Sequence, residues 1–232
     1  MDAQQDTTEI LSAMLRRVSH GGHSRNSEGA EAQEPRYATA YLRGGLNRAG
    51  IAAQAAQHYL MYEALEAATT SHVSEQGESF AFAMPELRRL SALEADLVYW
   101  IGPDWEREVR GRYATPGINA YVARLREVAG SSVPHFIAHH YTRYLADLSG
   151  GFMIAKMFRD SYQVEDEAGT SFYSFDRIPD PRAFKDRYRE LLDELPFTSQ
   201  EKAIVAAEVK LAYDHNNRAG ADLEERFAEY QG

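Results

Sequence analysis

The sequence predicts an all-α protein built as one domain over residues 1–232, and three observations carry that expectation. Apolar residues recur at helical three-and-four spacing along most of the chain, as helices with one buried stripe require. Only SFYSF, residues 171–175, reads as a short extended piece, and no sheet can be built on it. No Pro/Gly/Ser-rich linker and no internal repeat divides the chain, whose 232 residues suffice for one sizeable core.

Composition narrows the function classes. There is no cysteine, which excludes disulfides and thiolate ligation of a metal. The net charge of −10 disfavours nucleic acid as a partner. Nothing approaches the roughly 18 consecutive apolar residues of a membrane span, and the N-terminus lacks the pattern of a signal peptide. A cytoplasmic monomer without a membrane anchor is the expectation.

The elements follow in order. Thr7 to His23 is expected to be helical after a disordered stretch at residues 1–6, with Ile10, Leu11, Met14, Leu15 and Val18 turned inward. Arg16 and His23 lie two turns apart on a neighbouring face, where a histidine is a solvated or capping group as readily as a ligand. Residues 28–36, which open EGAEAQEP, read as a polar loop. Ile51 to Ala68 forms a second helix in which Tyr62 is either a core tyrosine with a satisfied hydroxyl or a polar handle for a site. In residues 85–105, Tyr99, Trp100 and Trp105 read as packing anchors, and Gly102-Pro103 as a helix stop. Asp104 to Ala129 is helical with a break near Pro116, and Ser131-Ser132 caps the helix that begins at Val133. Arg159 to Asp180 is loop-rich. Asp180-Pro181 opens a helix in which Arg182, Lys185 and Arg189 share a face, ordinarily solvated and paired with Asp186 or Glu190. Ser199 through Glu229 closes the chain.

The stretch from Ala138 to Met157, AHHYTRYLADLSGGFMIAKM, organises the rest. Gly150 and Gly151 stand in its middle, where each costs roughly 1 kcal/mol relative to alanine. Beside Ser149, they allow a bend and let a flat object lie against bare backbone. Arg143 and Asp147 face the same way one turn apart. Either this is a kinked helix walling a slot, with an ionised pair beside it, or it is a break between two helices with a surface ion pair.

HHYTRYLADLSGG, residues 139–151, resembles the distal-helix signature of the heme oxygenase family. LSAMLRRVSHGGH at 11–23, YLMYEALEAA in the second helix, ALEADLVYWIGPDW and FKDRYR are similar to further family segments, in the family's order. The resemblance implies heme b held between the first helix and the kinked one, serving as both cofactor and substrate. His23 would be the proximal iron ligand, with His20, three residues before it, a competitor. Arg16, Tyr141, Lys185 and Arg189 would meet the propionates. Ser149, Gly150 and Gly151 would lie over the ring. Asp147, held by Arg143 and Tyr62, would orient a water that supplies a proton while O2 is activated. The implied reaction opens heme to biliverdin, CO and ferrous iron, with electrons from a ferredoxin or flavodoxin and its reductase.

The chain departs from the family's pattern at three places: Ala146 replaces a glycine, Glu28 follows His23 one residue late, and Gly220 replaces an aromatic residue. These keep open a heme carrier or sensor, or an oxygenase of altered activity, on the same fold. A non-heme di-iron reading tempted by His135, His139 and His140 lacks the Glu-x-x-His pairs it needs.

Overall fold

The computed structural model describes residues 9–24, 35–77, 79–164 and 168–232, with the side chains of residues 20–24 outside that description. Helices occupy most of it: α1 (Leu11–Ser24), α2 (Arg36–Arg43), α3 (Arg48–Gln76), α4 (Leu90–Trp100), α5 (Trp105–Gly111) and α6 (Pro116–Val128). They continue as α7 (Val133–His140), α8 (Ala146–Tyr162), α9 (Pro181–Glu194), α10 (Ser199–Glu225) and α11 (Phe227–Tyr230). Among the described residues there is no strand, only an isolated bridge between Leu46 and Gln231.

Local chemistry starts these helices where it should. Asn47 accepts the Gly50 N–H at the head of α3, and Asp180 accepts those of Arg182 and Ala183 at the head of α9. Thr198 and Glu201 form a reciprocal capping box on α10. Pro116 and Pro181 occupy first-turn positions, where a missing N–H costs nothing. Ser132 does sit at the start of α7, yet its hydroxyl meets the His135 ring at 2.7 Å and caps no backbone N–H.

The long helices α3 and α10 form the spine. Helix α3 packs against α4, α6 and α7, while α10 packs against α6, α7 and α1, and α8 lies on α2. One contiguous hydrophobic core draws on residues from Leu11 to Tyr230, with Tyr62, Tyr121, Tyr144 and Tyr188 among its largest fully buried members.

Several expectations are corrected here. Ile10 lies outside α1 and is exposed, because the helix begins one residue later. Arg36 belongs to α2, a helix the periodicity did not predict, while residues 1–8 and 25–34, with Glu28 among them, lie outside the described residues. Helix α3 outruns its expected bounds at both ends. Helix α8 runs on to Tyr162, into the stretch expected to be loop-rich. The SFYSF segment is a 3-10 turn at Ser171–Tyr173 rather than an extended piece, since the Asp96 carboxylate gathers the N–H groups of Ser171 and Phe172 at 2.8 and 2.9 Å.

Candidate active site

Between α7 and α8 the chain makes a π-helical turn, Tyr141–Leu145. Thr142 Oγ1 donates to the Ala138 carbonyl at 2.7 Å, and Ser149 Oγ to the Leu145 carbonyl at 2.6 Å. Hydroxyls that bond back to the i−4 carbonyl on either side of the turn loosen the backbone ladder and favour the irregularity. The departure from α geometry that the double glycine predicts therefore falls one to two turns earlier, and Gly150 and Gly151 themselves lie within regular α8.

The two glycines do different things. A Cβ on Gly150 would meet only Ile154 Cδ1 at 3.4 Å, so this position presents bare backbone on the same face as the exposed Ser149. A Cβ on Gly151 would come within 2.8 Å of the Tyr173 carbonyl oxygen. That carbonyl cannot retreat easily, because Asp96 pins the turn and the Tyr173 hydroxyl meets Tyr41 at 2.8 Å. Gly151→Ala is thus expected to destabilise the protein by about 1–2 kcal/mol, the clash outweighing alanine's helix preference. Thermal unfolding would read this as a loss of roughly 2–8 °C; an unchanged midpoint would mean that the turn yields.

The π turn aims its side chains at α3. Tyr62 of α3, fully buried, donates its hydroxyl proton to Asp147 Oδ2. Arg143 reaches the same oxygen at 3.5 Å and bonds Asn216 Oδ1 of α10 at 3.0 Å. The Arg143 and Asp147 side chains are 12% and 16% exposed, so this is an enclosed cluster and not the surface ion pair of the alternative reading. Burial, reinforced by the Asp147 charge, pushes the Tyr62 hydroxyl well above its ordinary pKa. It therefore stays a proton donor. Burial works against the Arg143 charge, but Asp147, Tyr62 and Tyr121 outweigh it and raise the pKa. His58, one turn before Tyr62, is lowered to about 3 by burial and by Arg143, and is neutral.

Cations gather on the outer side. Lys185 Nζ donates to Ser149 Oγ at 3.3 Å, tying α9 to α8. Tyr141 is half-buried among Ser19, Tyr213, Arg189 and Arg16; burial raises its pKa while the Ser19 contact and both arginines oppose the rise. Arg189 also pairs with Asp186 at 2.6 Å. Ala146 opens α8 one turn before Gly150, exposed on the same face.

The structure thus brings together Tyr62, Arg143 and Asp147, and separately Arg16, Tyr141, Ser149, Lys185 and Arg189. The side chains of His20 and His23 lie outside the described residues. Asn216 was missed as a partner of Arg143, although it stands in the AYDHNN segment one turn after Tyr213. The three neighbouring histidines diverge. His139 serves Glu208 and His140 serves Tyr188, and among the described residues no group of His, Asp or Glu is placed to hold a metal ion.

These residues suit a flat ligand with an anionic edge: bare backbone for the ring, a tyrosine and three cations at the rim for the carboxylates, and a proton-handling cluster alongside. An all-α enzyme acting on such a ligand is the class that this architecture defines. The family model for heme oxygenase matches residues 10–221. The chain is 36% identical over 197 residues to heme oxygenase 2 of the cyanobacterium Synechocystis, covering 84% of this chain and 77% of that one. It is 31% identical over 210 residues to rat heme oxygenase 1, covering 90% and 68%. Among solved structures, Synechocystis heme oxygenase-1 in complex with heme superposes with a TM-score of 0.81 at 28% identity, covering 95% of each chain. Synechocystis heme oxygenase-2 in complex with heme and NO gives 0.81 at 34% identity, covering 94% of this chain and 86% of that one. The chain belongs to the heme oxygenase family.

Proposed function

We propose that this protein cleaves heme oxidatively to biliverdin, CO and ferrous iron, using O2 and electrons from a ferredoxin or flavodoxin with its reductase. The Tyr62–Asp147–Arg143 cluster beside the bare backbone of Gly150 carries the reading. Bound heme supplies the iron at which O2 is activated and the meso carbon that is oxidised.

The chain's own residues do the rest. His23, as a neutral imidazole, would hold the iron. Lys185, Arg189 and Arg16, with the Tyr141 hydroxyl, would hold the propionates and so decide which meso carbon is presented for oxidation. Backbone at Gly150 keeps basic side chains away from the distal face. Asp147 takes the Tyr62 proton in a hydrogen bond on Oδ2, which leaves Oδ1 to orient a water and pass a proton towards the dioxygen side. Arg143 keeps that carboxylate in place.

The carrier or sensor alternative is not favoured, since the relatives are named oxygenases. No helix among the described residues is long and apolar enough to cross a membrane. We propose that the protein works as a single-domain monomer in the cytoplasm, where water-soluble donors reach it.

Heme-loaded protein incubated under O2 with a ferredoxin reducing system should yield biliverdin and CO as the Soret band decays. A persistent Soret band with neither product would sink the proposal. His23→Ala should abolish the histidine-ligated heme spectrum; if that spectrum survives, another side chain ligates the iron.

A further inference from the structure

A second cavity, of about 200 Å3, opens between α3, α6 and α10. It is lined by Gln54 and His58 of α3, by Arg143 and Asn216, and by Gly220. Ser149, Gly150, Tyr141, Lys185 and Arg189 take no part in it, so it shares the Arg143–Asn216 pair with the site above but not the ligand-facing side of α8.

Its chemistry is asymmetric. Arg143 Nε is buried and has no hydrogen-bond partner, although the other two guanidinium nitrogens are engaged by Asn216 and, at the 3.5 Å limit, by Asp147. A buried N–H left unsatisfied costs about 1–3 kcal/mol, so an acceptor arriving through the cavity relieves a real penalty. Asn216 accepts from Arg143 through its oxygen, which leaves its amide N–H groups as donors. His58 Nε2 lies 2.9 Å from the Gln54 amide nitrogen, which donates to it, so the ring proton sits on Nδ1. No carboxylate lines the cavity, and Met61 and Leu223 close it with apolar surface. A guanidinium only loosely offset by Asp147 at 3.5 Å, with spare N–H donors and no carboxylate in the lining, selects an anion over a cation, and the volume restricts it to a few atoms.

Access is on the α10 side. Gly220 lines the cavity and is exposed, and a Cβ built there meets nothing within 4 Å, so this position puts no side chain at the rim.

We propose that this cavity is a binding site for a small monovalent anion of the nitrite, azide or formate class, held by Arg143 Nε and the Asn216 amide and admitted past Gly220. An anion there shares the Arg143 charge with Asp147. The 3.5 Å ion pair is the weaker hold on that carboxylate, so occupancy loosens Asp147 and lowers turnover. This regulatory consequence rests on the proposed heme oxygenase reading; the binding itself does not.

Azide is the probe, and heme-free full-length protein is used so that iron cannot bind it. Saturable binding is read from the azide infrared stretch, in wild type and in Gly220→Leu, with circular dichroism to check folding. Azide should saturate one site on wild type and bind at least about tenfold more weakly to Gly220→Leu. Gln54→Leu, placed on α3 instead of α10, should weaken binding too and serves if Gly220→Leu does not fold. Absence of saturable binding to wild type, or equal affinity in the variants, overturns the proposal. Failure of biliverdin formation with azide binding intact would reject the oxygenase reading alone.

Discussion

Asp147→Ala is expected to take up heme and yet form biliverdin at least about 10²-fold more slowly, the range that a positioned proton-transfer group contributes. Heme uptake should survive because Lys185 bonds Ser149 and Arg189 pairs with Asp186, neither through Asp147. Turnover fails because Tyr62 and Arg143 converge on this one carboxylate. The alanine variant also leaves Arg143 buried without its counter-charge, so a loss of stability accompanies it. Asp147→Asn separates the effects: it keeps a hydrogen-bond acceptor for Tyr62 but cannot take up a proton. Product chromatography under a reducing system, alongside thermal unfolding of both variants, checks the result. Unaltered biliverdin yield from either would show that the cluster takes no part in the reaction.

The largest effect on folding is expected at Glu208, which is 2% exposed. Arg124 grips it with Nε at 3.0 Å and Nη2 at 2.7 Å, and His139 Nε2 donates to it at 2.9 Å. The other ring nitrogen of His139, Nδ1, lies 3.3 Å from the Tyr121 hydroxyl. Glu208→Gln removes the buried partner of an Arg124 side chain that is a quarter exposed and keeps Glu127, and should cost about 1–3 kcal/mol, read from urea unfolding at pH 7. A loss below about 1 kcal/mol would place the pair among ordinary surface bridges.

The pH dependence follows from the same contacts. Burial raises the Glu208 pKa, but hydrogen bonds from His139 and Arg124 outweigh it and bring it from 4.5 to about 2. A carboxyl whose pKa is lower folded than unfolded contributes its full stability above the unfolded value and loses it as pH falls towards about 2. Burial holds His58 and His140 at about 3, below the ordinary 6.5, so the unfolded chain binds those protons first and stability already declines as pH drops below 6.5. Wild type should therefore weaken in two acid stages. In Glu208→Gln the lower stage should shrink, what remains coming from carboxyls such as Glu224, where burial raises the pKa but the Tyr37 N–H and Arg36 together lower it.

How much of this was legible depended on whether the cause was local. Pro116, Asp180-Pro181 and Thr198 announce helix starts within a few residues, and the structure puts them there. The i, i+4 spacing of Arg143 and Asp147 likewise gave their shared face. Helix α2 was invisible because it is held from a distance: Glu224 of α10 takes the Arg36 guanidinium and the Tyr37 N–H, at 2.7 and 2.8 Å. The turn at Ser171–Tyr173 depends on Asp96 in the same way. Tyr62 is 85 residues from Asp147, so only resemblance, not spacing, could pair them, and Asn216 escaped notice for the same reason. The π turn carries no glycine or proline to mark it.

That turn makes the site sensitive to counting. A π turn holds one residue more than an α turn for about the same rotation, so rewinding Tyr141–Leu145 as regular helix with every residue kept would swing everything downstream by roughly 100°, the advance of one α-helical residue. Asp147 would then point away from Tyr62, and the glycine backbone away from the rim, although no functional side chain had been exchanged. The site is thus vulnerable to a change that merely straightens the turn, such as loss of the Thr142 hydroxyl that bonds back to Ala138, with every group that meets the ligand still in the chain.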